Sequence, residues 1–350
     1  MSADLYAEKL AHFKENEKPW GVLAAQEGTG RRSDTVKVIS TQRKSAVITP
    51  SSLACLSRIP TMNLTMGCAH GCLYCYTRGY RVYPGEGTVH VYENTLELLR
   101  RELLRKKHKP VAVYFSPASD LFQSVTEVLD LAYHVLQEIL ARGIGIAFLT
   151  KGVIPERHMM LLRQNAALVR AQIGLITLDD ALLGTFEPRA APAAIRVAQM
   201  KQLTESGIKT QLRIDPILPG LTDDEQTLGE LCRAAADAGV TDIAASVLFL
   251  RPAVTTRLQQ ASGTHAAVAR CLEAFADARR MAIHAERSSV IALPREQRER
   301  IFRRLENVAR RYAIAVKRCA CKNPDLSSGT CSIVGDFKRG NAATGPTLFG

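Results

Sequence analysis

"NLTMGCAHGCLYCYTRGY", residues 63–80, sets Cys68, Cys72 and Cys75 in the pattern C-x3-C-x2-C, with glycines at 67, 71 and 79. Such crowding of thiols admits a disulfide framework, a zinc site or an iron–sulfur cluster. The opening segment "MSADLYAEKLAHFKENEKPW" scatters Asp4, Glu8 and Glu15 where a secretory signal needs an apolar core. No apolar run approaches the roughly 18 residues that span a bilayer. The sequence therefore reads as cytoplasmic, with no membrane partner. Thiols stay reduced in that compartment, and clustered cysteines serve there as metal ligands or catalytic groups. The disulfide explanation is weak.

Structural zinc takes four protein ligands, usually from two separated pairs. Here there is one compact triplet. His70 lies inside the loop, where joint coordination with Cys68 and Cys72 is cramped, so a solvated or loop-bonded imidazole is the better reading. Three thiolates from one loop suit a [4Fe–4S] cube and leave one iron open to a substrate or cofactor. Gly67 and Gly71 fit this reading, because no Cβ then obstructs approach of the backbone to the inorganic sulfides. Three merely buried cysteines do not explain the glycine-rich polar spacers.

Outward from the loop, "TMNLTM" is a short strand directly before the cysteines, and amphipathic and β-branched segments then alternate. The helical stretches are 91–107, "VTEVLDLAYHVLQEILARG" stopped at Gly143, "PERHMMLLRQN" with Pro155 near its first turn, "APAAIRVAQMKQLTESG" closed by Gly207, and "TDDEQTLGELCRAAADAG" opened by Thr222. Between them run the strands "PVAVYFS", "IGIAFLTKG", "LVRAQIGLITLD", "IKTQLRIDPILPG" and "VTDIAASVLFL". Repeated units of this kind predict an α/β fold, a partial (β/α)6 barrel with chemistry at the carboxyl ends of its strands, where the cysteine loop also lies. The expected organisation is an N-terminal arm at 1–58, the barrel at 59–285, and a C-terminal helix (294–312) with a cysteine-containing tail at 286–350.

The triplet after the first strand of such a barrel, with Tyr74 before the third cysteine, resembles the radical S-adenosylmethionine superfamily. "GCAHGCLYCY", "SPASDLFQ", "FLTKG", "TLDDALLGTFEPRAAP" and "RIDPILPGLTDDE", in order over about 60–250, resemble its spore photoproduct lyase-like group. The resemblance implies that Cys68, Cys72 and Cys75 ligate a [4Fe–4S] cluster whose open iron chelates S-adenosylmethionine. Reductive cleavage of that cofactor yields a 5′-deoxyadenosyl radical, which abstracts hydrogen from the substrate, with an external electron donor of flavodoxin or ferredoxin type. It further implies that Tyr74 and Tyr76 flank the cofactor side of the loop, and that Ser119, Asp120 and Lys151 line the cofactor pocket. The resemblance also implies that Gln172 and Thr177 contact the cofactor from the fourth strand and that Arg213 pairs with its carboxylate. Ser119 and Asp120 also suit a helix N-cap, and Arg213 an ordinary ion pair. "EPR" at 187–189 belongs to the pattern without an assigned role. One departure stands out: the cysteine that returns a hydrogen atom in spore photoproduct lyases is matched by Pro117, which has no S–H to give.

The formal charge of +12 favours an acidic partner such as nucleic acid, but the basic stretches at 100–109 and 303–318 read better as solvated helices than as a specific nucleic-acid groove. Cys55, Cys232 and Cys271 are isolated in sequence and read as packing. Cys319, Cys321 and Cys331 form C-x-C-x9-C and suggest a second cluster or a soft metal. Three functions stay open. The first is a radical enzyme acting on nucleic acid; the second acts on a small molecule or a thiophilic element held by the tail cysteines. The third is a non-catalytic iron–sulfur electron-transfer protein.

Overall fold

The computed structural model describes residues 35–51, 53–283 and 288–327, together with Thr330 and Phe337. Cys331 and the first 34 residues of the expected arm lie outside the described residues.

The chain enters with β1 (Lys37–Thr41), which pairs in parallel with β4 (Thr88–Tyr92), while β3 (Thr65–Met66) pairs antiparallel with β4. The run "TMNLTM" is therefore two strands, β2 (Thr61–Met62) and β3, belonging to different sheets. The main sheet takes β2, β5 (Ala112–Phe115), β6 (Gly145–Thr150), β7 (Val169–Gly174), β8 (Lys209–Ile217) and β9 (Asp242–Val247) in chain order, all parallel. These are the six expected strands. A seventh, β13 (Ala315–Arg318), pairs in parallel with β9, so the sheet draws on residues from both sides of position 285.

Helices connect the strands: α1 (Thr95–Arg105), α2 (Thr126–Leu140), α3 (Glu156–Gln164), α4 (Asp180–Phe186), α5 (Ala193–Glu205) and α6 (Glu225–Asp237). In α2, Val128, Ala132, Val135, Leu136 and Ile139 are fully buried, the 3–4 spacing of one helical face turned to the core. Gly143 and Gly207 stand just past α2 and α5 in left-handed backbone, as the expected helix stops. The start of α6 differs from expectation: Asp224, not Thr222, caps it by accepting from Thr227 N at 2.8 Å. Thr222 instead accepts from Leu218 N within the preceding turn.

Beyond β9 come β10 (Phe249–Leu250), α7 (Pro252–Ser262), α8 (Ala266–Glu273), β11 (Arg279–Ile283) and β12 (Ser288–Ala292), whose strands make a small antiparallel sheet. Then α9 (Arg295–Arg310) packs on α6 and β13. Strands β5 to β9 are almost wholly buried, as a parallel sheet covered on both faces must be. Among the described residues no helix is long and apolar enough to cross a membrane.

Candidate functional site

The cysteine loop leaves β3 through Gly67 at φ +84°, where an added Cβ would sit 2.3 Å from the carbonyl oxygen of Thr88. Gly71, at φ +66°, faces the Arg189 guanidinium, 2.6 Å from where a Cβ would lie. Both glycines thus serve tight turns pressed against protein, a use beyond the one expected from sequence. The loop is pinned from behind. Ala69 N donates to Gln123 Oε1 at 2.8 Å, Arg189 N donates to His70 O at 3.2 Å, and Leu73 N donates to Phe186 O at 2.9 Å. The Arg78 guanidinium donates to the carbonyls of Cys72 at 2.9 Å and Gly71 at 3.2 Å. His70 is buried, its Nε2 3.0 Å from Asp120 Oδ2, so the imidazole is loop-bonded.

With the backbone held, Cys68, Cys72 and Cys75 line one cavity of about 450 Å³ at the carboxyl end of the parallel strands. Burial, helped by the Asp120 carboxylate, pushes the Cys68 thiol well up, and burial pushes Cys72 up to about 12. A bound cation is what such thiols need to ionise at neutral pH.

Each main-sheet strand exit from β5 to β8 adds groups to this cavity. After β5 stand Ser116, Pro117, Ser119 and Asp120. Asp120 lines the cavity, yet both its oxygens are taken by protein donors: Phe122 N and Thr150 Oγ1 on one, Lys151 N on the other, each at 2.8 Å. Burial raises its pKa, but His70 and these donors outweigh that and leave it below the ordinary value. It does not cap a helix, since α2 begins six residues later. Ser116 and Ser119 differ: their hydroxyl oxygens are buried with no hydrogen-bond partner among the described residues. Ser116 also holds φ +54°, rare for a residue with a Cβ.

After β6, Lys151 Nζ donates to Glu187 Oε1 at 2.8 Å and to the Tyr74 hydroxyl at 2.9 Å, and Tyr74 OH in turn donates to Glu187. Glu187 Oε2 lies 2.5 Å from Arg196 Nη1, both side chains being fully buried. Burial pushes the Glu187 carboxyl up, but Arg196 and Lys151 outweigh it and hold it at about 2. The "EPR" segment thus has a physical role, as the anion that fixes Lys151 and Tyr74. Tyr76 OH donates to Pro117 O. Gln172, in β7, donates to Gln211 and lines the cavity. Thr177 does not; its hydroxyl accepts from Asp179 N at 3.1 Å in the turn before α4.

From β8, Arg213 donates twice to Asp215 Oδ2, at 3.1 and 2.8 Å, and so is ion-paired within the protein. Lys322 reaches the same carboxylate at 2.8 and 2.6 Å. Lys322 and Arg213 overcome the burial of Asp215 and hold it far below the ordinary carboxylate range. Past β13, Cys319 and Cys321 line the cavity too, and Arg213 Nη2 lies 3.5 Å from Cys319 Sγ. Cys55 is not an isolated packing cysteine: its Sγ is 3.5 Å from that of Cys321, across 266 positions of sequence. Cys232 and Cys271 are core residues, as expected. Sequence reasoning missed Ser116, Asp215, Lys322 and Cys55; the first two stand inside or beside quoted motifs, whereas only the fold brings the others in.

Residues 62–233 match the Radical SAM superfamily. An uncharacterised protein of Mycobacterium tuberculosis (strain ATCC 25618 / H37Rv) is 28% identical over 217 residues, 59% of this chain and 64% of the relative's length. A radical SAM Nalpha-GlyT isomerase of Pseudomonas phage M6 is 29% identical over 173 residues, 49% of this chain and 36% of that one. A solved spore photoproduct lyase with bound AdoMet and dinucleoside spore photoproduct superposes with a TM-score of 0.61, covering 89% of this chain and 93% of that one. At 15% identity this last likeness speaks to the fold. Together with the parallel sheet and the cysteine loop at its carboxyl end, the match identifies residues 62–233 as a Radical SAM domain.

Proposed function

We propose that this protein is a radical SAM enzyme whose cavity at the strand ends holds the cofactors and the substrate together. The observation that carries this is the sharing of one cavity by Cys68, Cys72 and Cys75 with the buried hydroxyls of Ser116 and Ser119, which have no hydrogen-bond partner among the described residues. Buried hydroxyls without partners are costly unless a ligand completes them, so these residues fit a polar cofactor as well as a cluster. When bound, a [4Fe–4S] cluster and S-adenosylmethionine supply, with an electron from a flavodoxin- or ferredoxin-type donor, the 5′-deoxyadenosyl radical that abstracts hydrogen from the substrate.

In this reading Cys68, Cys72 and Cys75 hold the cluster, while His70, Asp120 and Gln123 hold the loop that carries them. Ser116, Ser119 and Gln172 present polar atoms to the cofactor. Tyr74 and Tyr76 wall its side of the loop, and Lys151 is fixed there by Glu187. Arg213, paired with Asp215, lines the cavity and sets a cation there for a carboxylate. Leu149, Val247 and Phe249 give the cavity apolar wall, which excludes water from a reactive centre.

The substrate we favour contains a nucleic-acid component. The charge of +12 suits a polyanion, and the solved fold relative has a bound dinucleoside spore photoproduct. Reversal of the same photoproduct does not follow, because Pro117 supplies no hydrogen atom. A second reading, a small molecule or thiophilic element, is favoured by one observation: Cys319 and Cys321 face the same cavity.

The test is anaerobic incubation of iron-reconstituted protein with S-adenosylmethionine and dithionite, followed by detection of 5′-deoxyadenosine. Product is expected from the wild type and not from Cys68→Ala, Cys72→Ala or Cys75→Ala, each retaining its far-UV circular dichroism. An oligonucleotide substrate should raise the rate. Absence of 5′-deoxyadenosine from protein carrying about four irons would overturn the radical reading.

A further inference from the structure

We propose that Cys55, Cys319 and Cys321 form a three-thiolate site for a single zinc ion, whose fourth position opens onto the cavity shared with the Cys68–Cys72–Cys75 loop. The site draws on two remote segments: the turn Ala54–Leu56 and the chain just past β13. Cys55 Sγ and Cys321 Sγ are 3.5 Å apart, and the Cys319 and Cys321 thiols hydrogen-bond each other. A tetrahedral ion with Zn–S bonds of about 2.3 Å holds its sulfurs about 3.8 Å apart. The observed spacing is close to that edge. A [4Fe–4S] cube puts each thiolate on a different iron, which keeps the sulfurs out of mutual contact, so the geometry points to one ion and not to a second cluster.

Charge supports a divalent ion. Three thiolates around a dication carry one net negative charge. Arg213 and Lys322, offset by Asp215, carry one net positive charge beside them, with the Arg213 guanidinium 3.5 Å from Cys319 Sγ. The three thiolates, the ion and these three side chains are then neutral together, which a buried site requires. Among the described residues no three ligands already stand in metal-bonding geometry, the Cys68–Cys72–Cys75 loop included. Loading therefore needs rotation of thiols that already touch, and it releases their protons. With three protein ligands the ion keeps one position for water or a soft donor atom of the substrate. Cys319 and Cys321 are 2% and 5% exposed and Cys55 is partly buried, and all three line the cavity, which gives an approach to that position.

The test uses the full chain, loaded anaerobically with iron, sulfide and zinc, desalted and measured for both metals. About one zinc is expected in the wild type and in the Cys68/Cys72/Cys75→Ala triple variant, which separates this site from the radical centre. Cys55→Ser and Cys321→Ser should each lower zinc at least tenfold and leave iron at about four per chain. Cobalt(II) added in place of zinc should give a thiolate charge-transfer band that both variants lose. If a serine variant does not fold, alkylation of the wild type decides: zinc should shield Cys55, Cys319 and Cys321 from iodoacetamide, and EDTA should expose them. Zinc retained in both serine variants, unshielded thiols, or a zinc-free wild type holding a Cys55–Cys321 disulfide would each overturn the proposal.

Discussion

Asp120 Oδ2 lies 3.0 Å from His70 Nε2, and this buried pair ties the cysteine loop to the exit of β5. The same carboxylate holds Thr150 and Lys151 at the exit of β6, so one anion sets the relation between the loop and two strand ends. Its mutation should act on the site more than on the barrel.

Outer partners of this kind are worth about 10–100-fold in metal affinity. Asp120→Ala should therefore lower iron retained after reconstitution and desalting by about tenfold or more. Far-UV circular dichroism should change little. Full iron loading together with an unaltered spectral response to S-adenosylmethionine would show that the loop holds itself.

Glu187 predicts an acid limb in stability. Its carboxyl is held at about 2 against an ordinary 4.5, because Arg196 and Lys151 outweigh burial. A depressed carboxyl stabilises fully above its unfolded pKa, and the contribution is lost as pH falls through the folded value. The contribution is on the order of 3 kcal/mol, lost between about pH 4.5 and 2. Urea unfolding at pH 7, 5 and 3 should show stability falling across that window. Glu187→Gln should be less stable at pH 7, since it leaves Arg196 charged and buried, and should show a flatter acid limb. An equal slope in both proteins would remove Glu187 as its source.

The parallel sheet was legible because its strands are buried on both faces and its helices on one, so hydrophobic period separates them. The cysteine loop was legible because its ligands are local in sequence. What escaped was non-local or short. β13 is four residues of "AVKR", half exposed and basic, and is a strand only because β9 offers it an edge. The contact of Cys55 with Cys321 spans 266 positions, and no local pattern announces it. Lys322 reads as a tail lysine until the fold sets it against Asp215. Asp120 was legible as a residue of the cavity, but its partners Thr150 and Lys151 were not, because they come from the next strand exit. For Arg213 an ion pair was legible, but not that Asp215, two residues on, and Lys322 from the tail would share it.

Gly67 tests how tightly the loop is built. Alanine there must adopt a left-handed backbone, costing about 1–2 kcal/mol, and its Cβ would meet the Thr88 carbonyl at 2.3 Å, which a backbone group cannot easily yield. Gly67→Ala should destabilise the protein by about 2–3 kcal/mol in urea unfolding. It should also lower cluster loading, since relief requires β4 and the loop to part. Gly79→Ala, where a Cβ meets nothing within 4 Å, is the control expected to be near neutral.

The last prediction concerns where a polyanion would bind. The arginines of α9 look like a phosphate stripe in sequence, yet three are matched by acids. Arg303 Nη2 is 2.9 Å from Glu299 Oε1, Arg311 Nη2 is 2.5 Å from Glu225 Oε1, and Arg304 lies 4.0 Å from Asp223 Oδ2. Each pair largely cancels the field a phosphate would feel. If all four of Arg303, Arg304, Arg310 and Arg311 contacted duplex phosphates, replacing them with alanine would reduce the log–log salt slope of binding by about 3.6, at 0.9 per contact. We expect a change below about 1, measured by fluorescence anisotropy of a labelled oligonucleotide between low and physiological salt. Lys322→Met, at the cavity, should weaken the same binding more than the four α9 changes together. A slope reduced by about 3 or more in the α9 variant, with Lys322→Met neutral, would move the nucleic-acid surface from the cavity to the helix.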